Sequence, residues 1–161
     1  MQSNEIILTD SSEKVARAIF SPMMIDAQGR ITANAFALRH KESYISVNRL
    51  SVPSWLDDIK TIPQNRNRVL FGYSLMAIGD VISQGFKWND CKVDFFVADK
   101  SSRMNKSHAG IFICFDSKVL KGNKDVILSP LDKDTNAPAL ALFIQMKLAK
   151  LANKQLVIIG H

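Results

Sequence analysis

The chain is poor in cysteine, proline and glycine, with two, five and seven of these residues among 161. Cys91 and Cys114 are separated by 22 residues with no further cysteine near them, a spacing that indicates neither a zinc cluster nor a dithiol motif. The few glycines and prolines are scattered and form no linker or repeat, which favours one compact domain over residues 1–161. We expect both thiols to be reduced, as in a cytoplasmic protein.

A long hydrophobic run is missing as well. The longest uncharged apolar run, Ala137 to Ile144, is far shorter than the ~20 residues that cross a bilayer. The N-terminus carries the acidic Glu5 where a secretory signal carries positive charge, and only Ile6 to Leu8 follow as an apolar stretch. These observations predict no membrane anchor, no export and a cytoplasmic location.

Several catalytic patterns are absent. Neither usual spacing of a phosphate-binding glycine loop occurs. Asp57 and Asp58 are adjacent on a predicted helix, so their side chains point about 100° apart and cannot act as a carboxylate pair. Asp132 and Asp134 are interpreted as loop and capping residues rather than metal ligands. The sequence therefore predicts no metal site and no cofactor.

Positive charge is present in excess and unevenly spread. The formal net charge is +6, residues 1–13 contribute −3, and residues 100–161 contribute +6. Within that last part the basic residues form three clusters, namely Lys100, Arg103 and Lys106, then Lys118, Lys121 and Lys124, then Lys147, Lys150 and Lys154. Such clusters either keep a surface solvated or attract polyanions through counterion release. The first hypothesis is a non-enzymatic binding module whose basic face engages nucleic acid, through Lys100, Arg103 and Lys106, or an acidic protein partner.

Hydrophobic periodicity predicts an α+β fold: a single compact domain with a mixed or antiparallel sheet packed against a mostly buried C-terminal helix. The expected sheet strands are Tyr44–Val47, Val69–Ala77, Val93–Ala98 and Ile111–Phe115. The last of these is continuously apolar, which is typical of a central strand covered on both faces. Residues 15–20 are compatible with a short helix or a strand, and the following Pro22 favours the strand. The acidic residues 1–13 are expected to be loosely ordered.

The C-terminal helix is expected over residues 138–153, because a proline in its first turn follows candidate caps. Lys147, Lys150 and Lys154 fall on one narrow stripe, so the remaining apolar side chains are expected to be buried. These apolar side chains are Leu142, Phe143, Met146, Leu148 and Leu151. The run Leu156 to Ile159 predicts a final strand or an interface segment of a homo-oligomer.

His108 is the most interesting of three histidines, because Ser107, His108 and Ala109 lie where a polar loop enters an apolar strand. Fixing that loop through a backbone hydrogen bond is the alternative role for this imidazole. Cys114 lies within an apolar run and is a poor candidate nucleophile, since burial disfavours the thiolate.

Two resemblances follow from short motifs. The order Val15 to Ile19, Ala35-Phe36, Ile45 to Val47, Ser107 to Ala109 and an Ala/Leu-rich closing helix resembles a widespread group of small bacterial proteins without an assigned activity. That resemblance covers most of residues 15–152 and implies no substrate.

An early arginine followed by a phenylalanine and an Ile-Ser-Val strand is also similar to the opening of mono-ADP-ribosyltransferase folds. This resemblance implies that Arg17 and Ser46 help to hold NAD. Glu5, Glu13 and Glu42 are the only glutamates, so an aspartate or His108 would have to replace the late catalytic glutamate of those enzymes. The second hypothesis is therefore a small transferase or hydrolase whose catalytic residues are Arg17, Ser46 and His108.

Overall fold

The computed structural model describes residues 6–122, 128–129 and 137–159. Their strands are β1 (Ile6–Ile7), β2 (Lys14–Ser21), β3 (Ile45–Arg49), β4 (Val69–Ala77), β5 (Phe86–Trp88), β6 (Cys91–Asp99), β7 (His108–Phe115), β8 (Lys118–Val119), β9 (Lys121–Gly122), β10 (Leu128–Ser129) and β11 (Leu156–Ile158). The helices are α1 (Trp55–Lys60), α2 (Ile78–Ile82) and α3 (Ala137–Ala152), with a 3-10 helix over Ala33–Phe36. The four strands and the long helix predicted from the sequence are all present.

Within the described residues, nine strands form one sheet in the order β1-β6-β7-β3-β2-β4-β11, with β5 beside β6 and β8 beside β7. Strands β9 and β10 form a separate pair. Every strand pair is antiparallel, which decides between the mixed and antiparallel alternatives. The fold is thus the predicted α+β single domain, and β7 lies inside the sheet between β6 and β3.

The N-terminal part of the chain is tied to the sheet. Ile6 and Ile7, within the stretch expected to be loosely ordered, pair with β6 as strand β1. Glu13 accepts hydrogen bonds from Arg49 Nε at 2.6 Å and Nη2 at 2.9 Å, which joins the start of β2 to the end of β3. Strand pairing at Ile6 and Ile7 and the ion pair of Glu13 thus hold the two ends of residues 6–13, and residues 1–5 of this stretch lie outside the described residues.

Helix α3 packs on one side only. It buries Leu140, Ile144 and Leu148 against the core, next to the 3-10 helix and β4. Leu151 is buried as expected. The expectation of burial was wrong for Leu142, Phe143 and Met146, whose exposed fractions are 51%, 42% and 56%. Since α3 carries apolar side chains on most of its circumference, the periodicity of the sequence does not indicate which of these side chains face the sheet.

The remaining elements close the molecule around one core. The predicted final strand is β11, which pairs with β4 at the edge of the sheet. The homo-oligomer that this segment was expected to form stays a prediction. Among the described helices, none has the length and apolar character needed to cross a membrane.

Candidate functional site

Register between β3 and β7 brings Ser46 and His108 to one face of the sheet. Arg17 of β2 is in register with Ser74, whose hydroxyl faces α3, and it borders the same cavity from that other face. Strand β3 lies between β2 and β7, and Ser46 of β3 pairs with Gly110 of β7. His108 precedes Gly110 by two residues, so it is the diagonal neighbour of Ser46 on the same face. A Cβ atom on Gly110 would lie 2.5 Å from the side chain of Tyr44, and the missing side chain lets Tyr44 cover the strand beside the site.

Ser46 and His108 contact each other directly. The Oγ of Ser46 lies 3.2 Å from Nε2 of His108. Burial lowers the pKa of His108 below its ordinary value of 6.5, while a hydrogen bond with the backbone of Lys100 and the charge of Asp99 act against this shift. The ring is therefore neutral at pH 7. In the tautomer protonated at Nδ1, Nε2 is free to accept the hydroxyl proton of Ser46.

Backbone carbonyls fix the guanidinium of Arg17 beside Ser46. Its Nε and Nη2 donate to the carbonyl oxygen of Ala35 at 3.1 and 2.8 Å, and its Nη1 donates to that of Ser46 at 2.8 Å. Five N–H groups are available on a guanidinium, so two of them are left without an acceptor among the described residues. Burial lowers the pKa of Arg17 to about 10, which still leaves the side chain charged at pH 7.

The three side chains line one cavity of about 380 Å³, a volume suited to a small ligand. Three further charged residues line it, namely Arg39, Glu42 and Arg68. With His108 neutral, the three arginines and one glutamate leave an excess of two positive charges around the cavity. This arrangement favours an anionic ligand.

Arg39, Glu42 and Arg68 are not among the site residues predicted from the sequence. Arg39 belongs to a basic triplet whose default interpretation is solvated surface, and Arg68 ends a polar connection. Charged residues in loops carry no periodic signal, so only the folded chain reveals that they border one cavity.

A hydrogen-bond network holds the loop that leads into His108. Asn48, which is 4% exposed, donates through Nδ2 to Asn105 Oδ1 at 3.0 Å and to Ser107 Oγ at 2.7 Å. Asp58 of α1 accepts the Ser107 hydroxyl at 2.6 Å and the Ser107 backbone N–H at 3.2 Å. These contacts fix the backbone next to His108, so the network positions the imidazole.

The basic residues Lys100, Arg103 and Lys106 belong to the connection between β6 and β7. Lys100 Nζ lies 5.2 Å from the centre of the Tyr44 ring. Arg103 and Lys106 are exposed and are not among the described residues that line the cavity. The structure thus places this cluster beside the site, and its nucleic-acid role stays a prediction.

Thiol and metal chemistry have little support in the part of the chain that the structure describes. Cys114 is buried, and burial raises the pKa of its thiol. No group of three or more His, Cys, Asp or Glu residues in this part could hold a metal ion. The Ser46 and His108 contact is therefore the arrangement on which we base the functional interpretation.

Comparison of the chain with protein-family models, with curated proteins and with solved structures finds no match. The two resemblances noted in the sequence accordingly stay predictions.

Proposed function

We propose that the chain is a small hydrolase or transferase that acts on an anionic ester, with Ser46 as nucleophile and His108 as general base. The contact of 3.2 Å between Ser46 Oγ and His108 Nε2 carries this proposal, because nucleophile and base must lie within hydrogen-bond reach. The excess of positive charge around the cavity supports an anionic substrate.

The reaction follows from these positions. Ser46 Oγ attacks the ester carbon while its proton moves to His108 Nε2. The bond from carbon to the leaving oxygen then breaks, and that oxygen takes the proton from His108. Water or an acceptor alcohol, deprotonated by His108, then attacks the acyl carbon. The bond from that carbon to Ser46 Oγ breaks, and Oγ takes the proton back from His108. Water makes the enzyme a hydrolase and an alcohol makes it a transferase.

Arg17 has a separate role in this scheme. Negative charge develops on the carbonyl oxygen of the substrate during attack, and fixed donors that face this charge lower the barrier. The two remaining N–H groups of Arg17 are suited to the task, since the other three hold the guanidinium beside Ser46. Arg17 thus supplies both attraction for the anionic substrate and stabilisation of the oxyanion.

Hydrolysis of two matched esters tests the proposal. The probes are the 4-nitrophenyl half-ester of glutarate, which is anionic, and 4-nitrophenyl valerate, which is neutral and of similar length. We expect the wild-type chain to prefer the anionic ester, and Ser46→Ala and His108→Gln to lower kcat/KM by about a hundredfold or more. Ser83→Ala is the matched control, since Ser83 lies at the end of α2 and its hydroxyl donates to Asp80.

Mass spectrometry of the protein during turnover gives a second readout. An acyl group on the peptide that contains Ser46, absent from Ser46→Ala, supports the nucleophile assignment. Equal turnover by the wild type and Ser46→Ala, with no acylated peptide, would exclude the proposed mechanism.

A second candidate function is the binding of a polyanion such as nucleic acid by Lys100, Arg103 and Lys106. One observation favours it: Asn105, in the same connection as these residues, lines the cavity that Arg17, Arg39 and Arg68 surround. The positive charge of the connection therefore lies next to the positive charge of the cavity. Binding of a polyanion through these residues would weaken steeply as salt is added.

A further inference from the structure

A second cavity adjoins the one that contains Ser46 and His108. It measures about 200 Å³ and shares Phe20, Met24, Arg39 and Arg68 with the larger cavity. Because the two cavities have walls in common, a ligand seated at Ser46 has space to extend past both arginines. The proposed ester cleavage uses Arg39 and Arg68 only as part of the positive charge around the cavity, and it assigns neither of them a specific contact with the substrate.

The N–H groups of the Arg68 side chain have no hydrogen-bond acceptor among the residues that the structure describes. Its guanidinium carbon lies over the Phe20 ring, 4.2 Å from the ring centre, in a cation–π contact. A guanidinium carries five N–H donors in a planar fork, and donors without a protein acceptor are available to an oxyanion. Within the described residues, no carboxylate forms an ion pair with Arg39 or Arg68.

Charge balance indicates the kind of oxyanion. Burial lowers the pKa of Arg17, the charge of Glu42 raises it, and the charges of Arg39 and Arg68 lower it further, so both of these guanidinium groups repel that of Arg17. Glu42 offsets one of the three charges, which leaves an excess of two. A phosphate monoester carries about −1.5 to −2 charges at pH 7 and offers three acceptor oxygens, so it matches this excess better than a single carboxylate.

We propose that Arg39 and Arg68 form a phosphate subsite, so that the substrate of the neighbouring Ser46 is an organic phosphate whose phosphate group sits between these arginines. This inference rests on the proposed function, because it assigns the anionic part of that substrate. The phosphate is bound and not transferred. Cleavage takes place at an ester group held near Ser46, and the phosphate group anchors the molecule.

Binding of phenyl phosphate tests the subsite, with benzoate as the carboxylate probe on the same ring. Isothermal titration calorimetry at low salt is expected to show binding of phenyl phosphate that Arg39→Ala and Arg68→Ala each weaken by about tenfold or more. Arg66→Ala is the control, since Arg66 is an exposed arginine of the same connection that does not line either cavity. Far-ultraviolet circular dichroism checks that each variant remains folded.

The Ser46→Ala variant separates this inference from the proposed function. It is expected to lose turnover of the glutarate half-ester and to bind phenyl phosphate as the wild type does. Loss of ester turnover in Ser46→Ala together with equal binding of phenyl phosphate by wild type, Arg68→Ala and Arg66→Ala would overturn the subsite and leave the catalytic proposal standing. Binding of benzoate as tight as that of phenyl phosphate would overturn the phosphate assignment.

Discussion

Asp58 of α1 holds Ser107, the residue before His108, by accepting two hydrogen bonds. The Ser107 hydroxyl donates one at 2.6 Å, and the Ser107 backbone N–H donates the other at 3.2 Å. The two residues are 49 positions apart in the chain. A carboxylate that accepts both donors of one residue fixes the position and the orientation of its backbone. The imidazole that follows is therefore positioned by a helix that does not itself line the cavity.

Asp58→Ala is expected to lower the turnover of the glutarate half-ester by about tenfold to a hundredfold, because misplacement of a base by about 1 Å has effects of that size. The fall should be in kcat more than in KM, since Asp58 does not touch the cavity. Steady-state kinetics measure it. Asp57→Ala, on the exposed neighbour, is the control, and an equal effect of both substitutions would contradict a specific role for Asp58.

Activity is expected to rise with pH through the pKa of His108, which burial keeps below 6.5. Protonated His108 cannot accept the hydroxyl proton of Ser46, so kcat/KM should fall on the acid side and level off above about pH 7. Burial lowers the pKa of His108 in the folded chain relative to the unfolded chain, so the folded chain favours the neutral ring. The contribution of His108 to the free energy of unfolding is therefore present above pH 6.5 and is lost as the pH falls below that value. An NMR titration of the ring with a midpoint above 6.5 would contradict both expectations.

Helix α3 should respond to substitution on one side only. Leu148 is fully buried, so Leu148→Ala is expected to lower the free energy of unfolding by about 2–5 kcal/mol. Leu142 is 51% exposed, and Leu142→Ala is expected to cost less than about 1 kcal/mol. Urea denaturation followed by circular dichroism measures both, with Lys150→Ala as a control expected within about 0.5 kcal/mol of wild type. Similar losses for Leu142 and Leu148 would show that α3 packs differently.

The chain should bind a generic single-stranded DNA more weakly as salt is added, if phosphates are contacted by Lys100, Arg103 and Lys106. Replacing all three residues by alanine should lower the affinity and reduce the slope of log K against log salt by about two to three, since each contact releases about one counterion. Fluorescence anisotropy at several salt concentrations measures the slope. The matched triple variant Lys147→Ala, Lys150→Ala and Lys154→Ala removes the same charge from α3. Equal slopes for the two triple variants would remove the specific assignment to the connection between β6 and β7.

Much of the sheet was predictable from periodicity. The alternation over Val93 to Ala98 and the continuous apolar run Ile111 to Phe115 correspond to β6 and β7, because side chains along a strand alternate between faces. The site was harder to predict from the sequence than the sheet. Ser46 and His108 were selected from local context, and their contact depends on the register of β3 with β7, which no local pattern specifies.

The two arginines shared by both cavities show why the rest of the site was missed. Arg39 and Arg68 are exposed loop residues, and a sequence offers no rule that separates a solvated arginine from one at a cavity. Leu142 and Phe143 illustrate the reverse case, since they are apolar and expected inside but lie on the outer side of α3. Both errors concern which neighbours a residue meets, and tertiary packing decides that.

The acceptors that hold Arg17 are main-chain oxygens of Ala35 and Ser46, and no substitution of a side chain removes a main-chain oxygen. Ser46→Ala therefore deletes the proposed nucleophile and keeps the guanidinium in place. Such a variant is a substrate-trapping variant, because it retains the positive charge that attracts the substrate and lacks the hydroxyl that attacks it. When this variant is purified from cells, its natural ligand is expected to remain bound, and mass spectrometry can then identify the ligand.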